Sequence, residues 1–420
     1  MAPVATRGRR ALDALDEIRG NRQRRSGPEH WFKPGRAFPA KGNNGPDVGG
    51  ARVAPSRPSR VDLRLSAKTA RRAGCRTCWR NRRQAVSLAA LGTRGVESMH
   101  ILITGGGGFI GRKLAQRLVR DGALRGRPIA SVTLVDLAVP TPVPAPFPVR
   151  CLACDISDRT ALGAIMSRPF DVIFHLAAVV SGAAEADFDL GLRVNLLGTL
   201  NLFEAARAAG NVPVLVYASS AAVHGGEEPD EITDGVELNP QTSYGTQKAM
   251  GELLLSDMSR RGFLDGRGLR LPTVSIRPGK PNAAASSFMS SIFRETLQGQ
   301  TANCPVPRDF EVWHTAPRTV VANLLHAATL EGAAFGFNRC LNLTGRTDTI
   351  GDMIAAMTRV AGPLAEARIT WQPDPVIERI VRGWRARVRP EKAQRLGFVT
   401  DASFEDTVRW FLEDDLLPPA

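Results

Sequence analysis

Residues 99–118 read MHILITGGGGFIGRKLAQRL, and their order decides the fold. HILIT (100–104) is a continuous β-favouring apolar run, the mark of a strand buried on both faces. Helical periodicity runs from about Phe109 to Arg120. Between them Gly105, Gly108 and Gly111 keep the spacing T-G-x-x-G-x-x-G. Glycine allows a tight turn, lets backbone approach a pyrophosphate, and lets helix and strand pack closely. The helix start at Phe109 and Ile110 offers unpaired N–H groups and about half a positive charge to an anion. A second strand, SVTLVD (131–136), ends in Asp136. A carboxylate there accepts from the hydroxyls of an adenine ribose. It also repels a 2′-phosphate, and Leu137 and Ala138 bring no cation, so the expected cofactor is NAD rather than NADP.

Apolar runs continue to alternate with helical patterns downstream. DVIFHLAA (171–178), VPVLVYASS (212–220) and LPTVSIRPG (271–279) read as strands, and about 187–209 and 243–261 as helices. Such alternation predicts an α/β fold, a doubly wound parallel sheet of the Rossmann type over 99–279. After residue 280 the pattern loosens, which predicts a smaller substrate-binding cap over 280–420, closed by a helix near 403–414. CDISD offers Asp155 and Ile156 to the adenine, and HLAA offers the small Ala177 and Ala178 against the cofactor. His175 is expected to be a core histidine.

Charge divides the chain. Residues 1–98 carry 22 Lys and Arg against 7 Asp and Glu, and the remainder 33 against 34. The first 98 residues are rich in Arg, Gly, Pro and Ser and bury too little apolar surface to offset their ordering entropy. They are expected to be a disordered basic extension: a nucleic-acid arm, a targeting segment, or the product of a start codon placed upstream of Met99, the last being preferred. Nucleic-acid binding is not expected of 99–420. No apolar run approaches the roughly 18 residues of a membrane span. Six cysteines include C-x-x-C pairs at 75/78 and 151/154, too far apart for a zinc ribbon. No metal is expected, and scattered thiols suit a reducing, cytoplasmic compartment.

The stretch TSYGTQKAMGE (242–252) holds Tyr244, one of two tyrosines, and Lys248, one of seven lysines. At i and i+4 they share a helix face. A dehydrogenation needs a base for the alcohol proton, and a free phenol of pKa about 10 is mostly protonated near neutrality. A nearby ammonium is expected to depress that pKa, and Lys248 can also donate to the nicotinamide ribose. Arginine, a planar fork, would be a poorer point charge. Ser220, just beyond a strand end, is placed to bind the substrate oxygen beside the Tyr244 hydroxyl.

Together TGGGGFIG (104–111), Asp136, CDI (154–156), HLAA (175–178), VNLLGT, SSAAVHG (219–225) and YGTQK (244–248) resemble the extended branch of the short-chain dehydrogenase/reductase superfamily. The resemblance implies Tyr244 as acid/base, Lys248 as its assistant, Ser220 as substrate orienter and Asn195 beside the cofactor. Downstream, RPGKPNAAASSF (277–288), IFRETLQGQ (292–300), HTAPR (314–318) and DPVIERIVRGW (374–384) are similar to the group that oxidises C2 of D-erythronate to the 2-oxo acid with NAD. Pro278 then joins the cofactor set. The pattern departs at Ala283, where Lys is expected, and at Thr296, where Pro is expected. A small anionic carbohydrate acid is the implied substrate, and a homodimer is an open expectation. Lys280, just after a strand end, and Arg318, a guanidinium fork, are candidate carboxylate receptors. Asn282 and Ser286 or Ser287 are candidates for sugar hydroxyls. A nucleotide-sugar epimerase or dehydratase, a uronate dehydrogenase, and a catalytically silent dinucleotide sensor remain as alternatives.

Overall fold

The structure, a computed structural model, describes residues 98–280 and 285–416. The basic extension, except Ser98, lies outside the described residues, as do Cys75, Cys78 and Asn282. The strands of the main sheet are β1 (Met99–Thr104), β2 (Ala123–Leu124), β3 (Arg127–Asp136), β4 (Val149–Ala153), β5 (Val172–His175), β6 (Val214–Ser220), β8 (Asp265–Leu271) and β12 (Cys340–Asn342). Their order is β12-β8-β6-β5-β1-β3, with β4 beyond β3 and the short β2 antiparallel on β3. The chain winds outward from β1 through β3 to β4, then crosses back to β5 on the other side of β1. The crevice between the ends of β1 and β5 is the topological switch point, where doubly wound sheets bind ligands. Leu176 N donates to Thr104 O there at 3.0 Å.

Side chains alternate across each strand and supply two cores. Ile101, Ile103, Val132, Leu134, Phe174 and Val216 face helices α1 (Phe109–Asp121) and α5 (Pro317–Thr329). Leu102, Val135, Ile173, Leu215 and Tyr217 face α2 (Thr199–Ala209) and α3 (Ser243–Arg260). Each fully buried Leu, Ile or Phe contributes about 1.5–3 kcal/mol. A third core holds the cap: Phe288, Phe293, Ile354 and Phe404 of α4 (Phe288–Leu297), α6 (Ile350–Ala361) and α7 (Phe404–Phe411) pack with Ile276 and Val312. Its three-stranded sheet orders β13 (Arg346–Thr349), β11 (Glu311–Thr315) and β9 (Thr273–Val274). Two further pairs are β7 (Glu231–Thr233) with β15 (Arg387–Arg389) and β10 (Ala302–Cys304) with β14 (Ile369–Trp371).

Two expectations are corrected. The strand placed at 271–279 lies earlier, at Asp265–Leu271, and only Thr273–Val274 pairs again, in the cap sheet. DGRGLRL looks like a loop, but its glycines are required by packing. A Cβ on Gly268 would sit 2.2 Å from Cys340 Sγ, and one on Gly266 would sit 2.6 Å from Ser259 Oγ. The division at 279/280 is also not a clean boundary. β12 returns to the main sheet, pairing Leu341 with Leu269, and α5 shares the core of α1. Residues 317–343 therefore complete the dinucleotide-binding half. The run CLNL is too short and too mixed to signal a strand by pattern alone.

Candidate active site

The glycine loop is shaped by what a side chain would strike. Gly105 has φ +74°, and a Cβ there would lie 2.7 Å from Ala177 N. A Cβ on Gly111 would lie 2.2 Å from Gly105 O, so the helix can approach the turn only without it. Gly108 caps α1 with no side-chain hydrogen bond, which leaves the first-turn N–H groups at Phe109 and Ile110 for an anion. Asp136, at the end of β3, accepts from Gly107 N at 3.0 Å and from Leu137 N at 2.7 Å. Each carboxylate oxygen keeps a lone pair for a ribose hydroxyl. An open groove of about 1050 Å³ starts at Gly107 and Phe109 and is bordered by Pro278, Gly279 and Arg318. These features fit a dinucleotide: a cradle closed to any Cβ, an uncapped helix start, and an acid placed for ribose.

Neighbouring residues hold that cleft in shape. Burial would raise the Asp155 pKa, but the two Ser157 hydrogen bonds and Arg193 hold it below the usual carboxylate value. Ile156 is buried, and a Cβ on Gly198 would lie 2.7 Å from it. Ala177 and Ala178 are partly buried on the segment that leaves β5. Asn195 lies in a π-helical turn (Leu192–Gly198), a distortion frequent at functional sites. Its Oδ1 accepts from Val179 N at 2.8 Å, and its Nδ2 donates to Val179 O and Gln247 Oε1. It thus ties the segment after β5 to α3. His175 is a core histidine: its ring nitrogens meet Thr104 Oγ1 and Thr199 Oγ1, and burial lowers its pKa to about 3.

Ser220, Tyr244 and Lys248 come together at the end of β6 and the first turns of α3. Thr242 caps α3 through Gly245 N at 3.1 Å, which fixes the helix start one residue before the tyrosine. Ser220 Oγ accepts from Ala222 N at 3.1 Å, and the hydroxyl helps to hold the Tyr244 pKa down. Lys248 is 2% exposed, and its Nζ donates to Ala218 O at 2.8 Å, 5.7 Å from the Tyr244 ring centre. Burial lowers the Lys248 pKa to about 8, against the pull of the Glu252 carboxylate. The expected depression of the phenol by the ammonium is corrected. Burial raises the Tyr244 pKa on balance, and the groups that pull it down are the Ser220 hydroxyl and the Arg277 charge.

Sequence reasoning missed the wall behind the lysine. Glu252 accepts three bonds from Arg270 at 2.8–3.1 Å and one from Ser219 Oγ at 2.5 Å, all buried. Glu252 stands four residues after Lys248, so the spacing that exposed the Tyr–Lys pair would also have found it. Arg277 was missed as well, and no local pattern marks it. Of the candidate substrate contacts, Lys280 is exposed. Ser286 is engaged by Arg277 through both its carbonyl and its hydroxyl. Ser287, beside it, opens α4. Arg318 borders the groove but is already engaged: its guanidinium holds Asp414 and Glu413 in the last helical turns, and Lys113 holds Asp414 and Asp415. The carboxylates it binds are this chain's own. Cys151, Cys154, Cys304 and Cys340 are free thiols. Among the described residues no group of three His, Cys, Asp or Glu could hold a metal, and no helix is long and apolar enough to cross a membrane.

A parallel sheet wound both ways, with a glycine cradle at its switch point and an acid ending its second long strand, defines a dinucleotide-binding enzyme fold. The chain belongs to the NAD dependent epimerase/dehydratase family, whose model matches residues 101–319. It is an enzyme of that family, and its cofactor is NAD. It is 49% identical over 320 residues to the D-erythronate dehydrogenase of Cupriavidus necator, covering 75% of this chain and 98% of that one. It is 41% identical over 318 residues to the D-erythronate dehydrogenase of Haemophilus influenzae, covering 76% of this chain and 100% of that one. Among solved structures, the nucleoside-diphosphate-sugar epimerase of Agrobacterium tumefaciens is 47% identical with TM-score 0.73, over 76% of this chain and 95% of that chain.

Proposed function

We propose that the protein oxidises C2 of a small aldonate, D-erythronate foremost, to the 2-oxo acid. The observation that carries this is Tyr244 with buried Lys248 one turn on, Nζ 5.7 Å from the phenol ring centre and anchored to Ala218 O on the strand that ends in Ser220. Gly105, Gly108, Phe109, Ile110, Gly111 and Asp136 would hold NAD, with Asp155, Ile156, Ala177, Ala178, Asn195 and Pro278 along its length. NAD, when bound, supplies the acceptor for the hydride that leaves C2. Ser220 orients the C2 hydroxyl, and Tyr244 takes its proton. Lys248 keeps a positive charge near the phenol while its pKa of about 8 lies above neutrality. Asp136, followed by exposed Leu137 and by Ala138 rather than by a cation, favours NAD over its 2′-phosphate.

The test is Tyr244→Phe with D-erythronate and NAD, followed by NADH absorbance. Turnover should fall at least about 10²-fold, the typical contribution of a positioned acid/base, while NADH binding persists. Substantial remaining activity would remove the role. The name of the Agrobacterium tumefaciens relative favours one second reading, a sugar-nucleotide epimerase. Such an enzyme would keep NAD through purification and release no net NADH. Exposed Met250 and Leu253 on α3, with exposed Phe188 and Leu197, support pairing of two copies, which sedimentation would read. The free thiols support a reducing, cytoplasmic compartment.

A further inference from the structure

We propose that Arg277 is the receptor for the substrate carboxylate and the residue by which the site prefers acids to neutral polyols. The proposal rests on the reading above and names the group that reading lacks. In a 2-hydroxy acid the carboxylate is bonded to the carbon that reacts. A hydroxyl held by Tyr244 and Ser220 therefore places the carboxylate one bond away, and only a cation close to the phenol can meet it. Lys248 is turned to Ala218 O, Lys280 is exposed, and Arg318 is held by Asp414 and Glu413.

Arg277 stands three residues after the end of β9, next to Pro278 on the border of the groove, and its charge helps to pull down the Tyr244 pKa. Its backbone is fixed on both sides: Arg277 N donates to Ser290 Oγ at 3.2 Å, and Arg294 Nη1 donates to Arg277 O at 2.8 Å. Its side chain is half-buried and bonds neutral acceptors only. Nε donates to Ser290 Oγ at 3.3 Å, and Nη2 donates to Ser286 O at 2.9 Å and Ser286 Oγ at 3.2 Å. Nη1 makes no hydrogen bond among the described residues. The fully buried arginines have counter-ions: Arg270 has Glu252, Arg267 has Asp265, and Arg294 has Glu295 at 2.6 Å, whereas half-buried Arg385, remote in the chain, donates to the Gly226 and Glu228 carbonyls. Among the described residues Arg277 has no counter-ion. Burial and the neighbouring Arg294 lower its pKa to about 10, so it remains charged near neutrality beside a second cation. A half-buried guanidinium without a carboxylate, braced by two serines, with Nη1 unengaged among the described residues, is built for an incoming anion.

Arg277→Met and Arg277→Lys in the full chain test this. The measured quantity is kcat/KM with NAD for D-erythronate against its neutral amide. A charged hydrogen-bond contact of this kind corresponds to about 10- to 100-fold. In Arg277→Met the preference for the acid should fall by that factor, mostly through KM, and Arg277→Lys should lie between it and wild type. NADH fluorescence and thermal melting check that both variants are folded. Equal losses on acid and amide would assign Arg277 to the phenol alone and overturn the proposal. Calorimetric titration of D-erythronate in the presence of NADH reads the same contact without turnover. An unchanged Kd in Arg277→Met overturns it even if the wild type forms no NADH, an outcome that would instead refute the proposed reaction.

Discussion

Replacing Glu252 by Gln removes one charge from a pair that has almost no access to water. The side chains of Arg270 and Glu252 are 5% and 3% exposed, and their ion contact is 2.8 Å. Gln keeps the shape, but its amide can face the guanidinium with only one oxygen, and Arg270 is left buried without a counter-ion. Breaking such a pair from one side costs about 3–5 kcal/mol. Total stability is about 5–15 kcal/mol, so the variant should unfold at much lower urea. Replacing both partners, as Glu252→Gln with Arg270→Met, should recover most of that loss, because no charge then remains buried. The same carboxylate supports the charge on Lys248, so in Glu252→Gln the lysine pKa should fall below about 8. In the wild type the lysine pKa in the folded chain, about 8, lies below the ordinary 10.5. The unfolded chain thus holds the proton where the folded chain has lost it, and this group's contribution to stability rises with pH through that window. Urea titrations at several pH values measure both effects. A single variant within about 1 kcal/mol of wild type, or a double variant less stable than the single, would refute this account of the pair.

Three other substitutions follow from the packing. Asp136→Ala should weaken NAD about tenfold, as expected for loss of a charged acceptor, and narrow its advantage over NADP; unchanged discrimination would remove the assignment. Gly111→Ala forces a Cβ to within 2.2 Å of Gly105 O, so NADH affinity should fall about tenfold or more while the fold persists by circular dichroism. Gly268→Ala sets a Cβ 2.2 Å from Cys340 Sγ and should cost about 1–3 kcal/mol in a urea melt. Adding Cys340→Ala should return part of that loss.

What the sequence made legible was whatever depends on neighbours along the chain. The glycine spacing, the acid at the end of β3 and the Tyr–Lys step are local, and each stands in the structure beside the elements expected to carry it. What escaped depends on partners far apart in sequence. Arg318 had the chemistry of an anion receptor, but Asp414, 96 residues later, already holds it. Arg277 showed nothing unusual, because lacking a counter-ion is a property of its surroundings. β8 was misplaced because its glycines and arginines look like a loop until α3 and β12 close over them. The tyrosine was expected to be acidified by its lysine, an argument from charge that omitted the cost of burial.

The return of residues 317–343 to the sheet has a consequence for anyone wishing to exchange specificities between relatives. A cut near residue 280 would strip β8 of its outer neighbour and bare the apolar surface that α5 covers. The resulting raw edge is a template for aggregation. A graft meant to swap the cap must therefore leave this helix and strand with the nucleotide half, and splice on either side of them.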